Sequence, residues 1–336
     1  MMSAEFNIQQ RTAINLIQND FRFIYTILRN KDQLQSNYNV MSMPFLGTII
    51  DGTEEWIQAF NASTKEKLEV PIFSSDEQKY YEEMRASIKF IDDSYANIRQ
   101  KLSNIYNDSE IYFASLCKPI ARKMKLYDIF GADIVGSHFC GNTILCNYYV
   151  PQYKFGIEKG EELQKYSEIG GKYIVLFDAK KEYCVDKNMN FTFKDYGGFV
   201  KSPFGNRFSD KFVLFSIVCQ INFIMICIEK YIKEECTTKL RFEYLQYYYL
   251  TNVLGEINET LNTDFTIDQQ WKSDLFRNSM AHYKIGVALK PSEIKYDDLM
   301  FGLTQKYFRQ DYLSLKKKIL TNLQSVSDQI EEYLRI

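Results

Sequence analysis

At 336 residues, 46% of them hydrophobic and 15% aromatic, the chain is long enough for one large or two ordinary globular domains and too apolar to be disordered. Its 41 basic and 43 acidic side chains leave a net charge of −2, which excludes a global positive field, so any contact with nucleic acid must come from a local patch. Seven cysteines are scattered without a CxxC pair, and Met1–Arg11 is polar; this reads as reduced thiols in a cytoplasmic protein rather than a disulfide framework behind a signal peptide.

The N-terminal region, 1–127, reads as a helical block. Ile14, Leu16, Ile17, Phe21, Ile24, Tyr25 and Leu28 recur at helical spacing and predict a helix over about 3–35. Pro44, Gly47 and Gly52 predict a loop over 38–52, followed by a short helix over 53–60. Ser74-Ser75-Asp76-Glu77 is a helix start with acidic residues in the first turn. A long helix is expected to run from there to about Tyr106, and Asp108-Ser109 to cap another ending near Asp128.

The middle region, 128–205, reads as a small β-rich insert containing ten glycines over 131–205. Strands are expected at Ile144–Val150, at Tyr173–Phe177 and at Phe191–Phe193 after a turn at Asn188–Asn190. One of the two histidines, His138, lies here with Cys140 and Cys146, but the spacing fits no zinc pattern and a fourth ligand is missing. Gly136–Asn142 lacks the lysine and spacing of a phosphate-binding loop.

The region 206–336 is helical again and reads as a bundle. Phe212–Ile228 is apolar nearly all round. Its Ser216, Gln220 and Asn222, and the charged run that follows, favour a buried core helix over a membrane span. A helix over about 240–261 places Leu250, Leu254, Ile257 and Leu261 on one stripe and carries the tyrosine run Tyr244, Tyr247, Tyr248 and Tyr249. Those rings fit a half-buried helix edge better than a base-stacking surface. Thr266-Ile267-Asp268 offers a cap for the next helix, which Pro291 ends. A final helix is expected over about 311–334. The basic clusters Arg122, Lys123, Lys125 and Lys316–Lys318 read as solvated faces.

The chemistry concentrates in Arg277-Asn278-Ser279-Met280-Ala281-His282, which contains the second histidine. An arginine keeps its charge at any ordinary pH, and an imidazole titrates near neutrality, a pairing suited to a phosphate. On a helix at 100° per residue Arg277, Asn278 and His282 share one arc, with only Ala281 between them, while Phe276 and Met280 lie on the opposite arc. Trp271 and Leu275 lie at the edge of the polar arc and would make it part of an interface.

This stretch resembles the R-x(4–6)-H motif of the HEPN superfamily, over about the last 130 residues. The resemblance implies a mainly α fold with a HEPN-like C-terminal bundle. It further implies a metal-independent endoribonuclease of a bacterial antiviral-defence or toxin–antitoxin system, without cofactor. Arg277 would stabilise charge on the phosphate, His282 would move the proton and Asn278 would orient the imidazole or bind a phosphate oxygen. RNA is then the expected substrate, a homodimer with a composite cleft the expected assembly, and an antitoxin or regulator a further partner, with no membrane involved. The alternative from another class is a non-catalytic helical sensor, using the same bundle for dimerisation or for recognition of a partner or ligand.

Overall fold

The computed structural model describes residues 6–30, 33, 36–63, 67–68, 74–124, 130–150, 160–196, 208–281, 289–296 and 298–336. The fold is mainly α, with one three-stranded sheet.

Helix α1 spans Ile8–Arg29. Asn7 caps it, accepting from the Gln10 amide at 2.9 Å while Gln10 closes the capping box. Helix α2, Ser36–Ser63, replaces the expected loop and absorbs the short helix after it. Pro44 lies inside it, and the lost ladder bond is outweighed because Phe45, Leu46, Ile49, Ile50 and Ile57 are all buried. Gly47 is a packing residue rather than a turn: a Cβ there would stand 2.8 Å from Met84 Cβ. That closeness lets α2 lie against helix α3, Ser75–Ser87.

The long helix expected from Ser74 to Tyr106 is two. After α3 the chain turns over residues 88–94, and Ser94 caps helix α4, Tyr95–Leu116, accepting from the Asn97 amide at 3.3 Å. Helix α4 runs straight through Asp108-Ser109, so no cap forms there; Ser109 is buried and its hydroxyl accepts from Asn147 Nδ2 at 3.0 Å. A short helix α5, Pro119–Lys123, follows.

Strands β1, Gly131–Val135, and β2, His138–Asn142, form a hairpin that was not among the expected strands. Gly136 turns it at φ 63°, a conformation glycine adopts without strain. Strand β3, Phe191–Asp195, pairs antiparallel with β1, giving the order β2-β1-β3. The other two expected strands are helices. Asn142 accepts from the Leu145 amide at 2.9 Å and starts α6, Thr143–Tyr149. Tyr173 lies in α7, Gly160–Leu176. Tyr173 and Phe177, one helical turn apart, both stack on Phe21, at 5.1 and 6.0 Å. A short apolar run reads alike in either conformation, and in both cases the cap or the i+4 packing decides.

Helix α8, Asp210–Asn222, continues as a π-helical stretch, Phe223–Lys230. The span is long and apolar enough to cross a membrane, but it is buried within the protein. Its polar residues are bonded. Ser216 accepts from Asn142 at 3.2 Å and Gln220 donates to the Tyr149 hydroxyl at 2.8 Å. Asn222 donates to Glu331 at 2.9 Å and accepts from Ser327 at 3.0 Å. Helices α9, Thr237–Leu261, α10, Asp274–Ala281, and α12, Tyr312–Leu334, correspond to expected ones, while α11, Leu299–Phe308, was not foreseen. Asp298 caps α11, accepting from the Met300 amide at 2.7 Å. One apolar core runs through α1, α2, α4, the hairpin and α8 to α12.

Candidate functional site

Helix α10 starts three residues after Trp271, not at the expected Thr266–Asp268 cap. Ser273 Oγ accepts from the Phe276 amide at 3.3 Å, while Asp268 instead accepts from the Gln270 amide at 2.9 Å and shapes the approach. The tyrosines of α9 hold that approach in place. Tyr244 OH lies 3.0 Å from the Trp271 carbonyl and also accepts from the Ser273 amide at 2.9 Å. Tyr248 OH donates to Asp274 at 2.6 Å. All four tyrosines are buried, so the run braces the start of α10 rather than offering rings to bases. Trp271 precedes the helix and is buried, with Lys318 Nζ 4.0 Å above its ring, so it does not share the polar arc; Leu275 does stand out, 64% exposed.

On α10 itself Phe276 and Met280 enter the core, as does Ala281, which the helical wheel put on the polar arc. Asn278 is exposed. Arg277 lies at the rim with its side chain 19% exposed. Its Nη1 donates to Asn278 Oδ1 at 2.9 Å and its Nη2 to Asp92 Oδ2 at 3.0 Å. Its guanidinium lies 5.3 and 5.8 Å from the ring centroids of Tyr248 and Tyr249, a cation–π platform. The structure thus brings Arg277 and Asn278 into contact. His282 lies outside the described residues.

Asp92 was not singled out in the sequence. It belongs to the turn between α3 and α4, which is tied to α9: Asn252 Nδ2 donates to Asp92 Oδ1 at 3.2 Å and the Tyr95 amide donates to Glu256 at 2.8 Å. The neighbouring Asp93 accepts from Lys101 at 2.7 Å, which with Asn97 holds its carboxyl down at about 2. Nothing within ten residues of Arg277 hints at this partner; it comes from 185 positions away.

No family model, curated protein or solved structure matches the chain. The site therefore rests on its own geometry.

Two further clusters of ionisable groups bear on it by contrast. Lys316 is not a solvated face but buried, 2.8 Å from Glu229 and 2.6 Å from Glu235, with Glu243 at 3.9 Å. Burial pushes the Glu243 carboxyl well above its ordinary range, whereas at Glu229 burial is outweighed by Lys316 and its neighbours and the carboxyl is held down. Glu229, Glu235 and Lys316 line a groove of about 730 Å³, and Lys239 reaches Glu229 at 3.3 Å. The other histidine, His138, is partly exposed on β2 with Glu331 at 3.9 Å. Among the described residues no group of three or more His, Cys, Asp or Glu is disposed to hold a metal ion.

Proposed function

We propose that the chain is a metal-independent endoribonuclease of a bacterial defence or toxin–antitoxin system, acting through Arg277, Asn278 and His282. The observation that carries the reading is the partly exposed Arg277 side chain, its guanidinium joined to Asn278 and backed by two tyrosine rings at the rim of α10. A fixed cation of this kind suits the charge that builds on a phosphorane-like transition state. The RNA's own 2′-OH attacks the adjacent phosphorus, His282 acting on its proton, and the P–O5′ bond breaks as the 5′ oxygen takes up a proton. The products are a 2′,3′-cyclic phosphate and a 5′-OH, so no metal enters the step. The reading places two such motifs across a homodimer, with the exposed Leu275 beside the motif free to join that interface.

A second reading is favoured by the Arg277–Asp92 pair at 3.0 Å: Arg277 pins the N-terminal block to the bundle of a non-catalytic sensor. RNA incubated with purified wild type and with His282→Ala in EDTA separates the two. The nuclease reading expects cleavage by wild type, cyclic-phosphate ends, and a rate about 10²–10⁴ lower in the variant. Equal cleavage by both proteins, or a strict need for magnesium, sinks it.

A further inference from the structure

The guanidinium of Arg277 is incompletely used. Nη1 and Nη2 each have an acceptor, but Nε is buried and has none among the described residues. Asp92 thus takes one donor of the Nε/Nη2 edge, the edge that binds a two-oxygen anion in parallel. A buried donor without an acceptor is costly, so an anion that engages both nitrogens is favoured over the carboxylate now present.

The turn that supplies Asp92 also carries a cation. The Asp92 amide donates to the Lys89 carbonyl at 3.0 Å, closing Lys89 and Asp92 into one tight turn. Lys89 makes no ion pair among the described residues, whereas Arg85, the next cation along α3, is paired with Asp51. The Lys89 ammonium is pulled below its usual range by burial first, then by the nearby charge of Arg277. Arg277 and Lys89 therefore confront Asp92 as two cations against one anion, with Asp274 drawn aside by its bond from Tyr248. Tyr248 and Tyr249 give Arg277 two ring contacts besides Asp92.

We propose that Asp92 occupies the position of an RNA backbone phosphate: the resting chain is held by the Asp92–Arg277 contact, and the phosphodiester displaces the carboxylate to bind between Arg277 and Lys89. This rests on the reading of Arg277 as a phosphate ligand and adds to it a counter-ion that the substrate must outcompete, together with a second cation, Lys89, supplied by the N-terminal block. The device makes the enzyme weak toward RNA until the α3–α4 turn shifts.

The test uses the full chain as wild type, Asp92→Asn and Lys89→Gln. A 2′-O-methyl RNA oligonucleotide, which lacks the nucleophile, serves as the binding probe, and unmodified RNA as the substrate. Asp92→Asn is expected to bind the probe about tenfold more tightly, with KM for unmodified RNA falling by a similar factor. Lys89→Gln is expected to bind more weakly and to reduce the slope of log affinity against log salt by about 1. A merely structural Asp92 gives weaker binding together with a lower melting temperature. A folded Asp92→Asn that binds no more tightly than wild type overturns the proposal, and if that variant does not fold, unchanged affinity in Lys89→Gln does the same. Tighter binding by Asp92→Asn without cleavage by any form keeps the phosphate site and removes the nuclease. Cleavage by wild type with unchanged binding in both variants keeps the nuclease and removes Asp92 and Lys89 from it. No binding by any form removes both.

Discussion

Among the Arg–Asp pairs that link the first hundred residues to the C-terminal helices, Arg241–Asp20 and Arg277–Asp92 are built differently. Arg241 and Asp20 are 2% and 0% exposed and 2.6 Å apart, with Thr238 adding a bond to Asp20 at 2.6 Å. They sit between α1 and α9, with Asp298 of the α11 cap close enough to feel both charges. Arg277 and Asp92 are 19% and 16% exposed and 3.0 Å apart, at a rim where α10 meets a turn. The same two residue types serve a closed strut in one place and an accessible cation in the other. Burial decides which: taking the first pair out of water ties both groups to each other, while the second is left open to exchange for another anion.

The largest effect is expected at the buried pair. Arg241→Ala takes the guanidinium away from a fully buried carboxylate and is expected to cost about 3–5 kcal/mol, read as a fall in the denaturant midpoint. A loss under about 1 kcal/mol would erase the distinction between the two pairs.

A third carboxylate sharpens it. Asp133 lies on β1, and burial pushes it up to about 7, opposed only by a hydrogen bond from Asn37. Its folded pKa thus lies above its ordinary value of 3.8, so the folded chain keeps a proton that the unfolded chain has already released. The stability this contributes is present below about pH 4 and is lost as pH rises toward 7. Asp133→Asn removes the titration. Its stability relative to wild type is expected to improve by about 2 kcal/mol between pH 5 and pH 8, seen in melting curves at the two pH values. A difference that stays flat with pH would mean that Asp133 keeps its charge at little cost, as a carboxylate with a cation does.

The sequence made the helices with strong apolar periodicity legible: α1, the α8 core helix, α9 and α12. It failed where a local signal was outvoted by tertiary packing. Pro44 and Gly47 read as loop residues, yet they lie in α2 because the helix buries a full face and Gly47 lets α3 approach. Ile144–Val150 read as a strand because a seven-residue apolar run carries no clear period, and the Asn142 cap was overlooked. Arg277 and Asn278 were singled out from the Arg-x4-His motif and the resemblance it carries, and their contact follows from adjacency on a helix. Asp92 and Lys89 were invisible, since a partner 185 residues away leaves no local mark. Lys316 was misread because its burial depends on Glu229 of the π-helical stretch, Glu235 just after it and Glu243 of α9.

The smallest stability effect, together with a large functional one on the proposed nuclease reading, is expected from the same substitution, Arg277→Ala, measured for RNA cleavage and for thermal unfolding on one preparation. At a partly exposed pair with two ring contacts, the cost in stability is expected to be about 1 kcal/mol. Cleavage is expected to fall about 10²–10³, the loss of a group that stabilises developing charge. Wild-type cleavage by Arg277→Ala, or a loss of stability as large as that of Arg241→Ala, would contradict the account and leave Arg277 as a second strut.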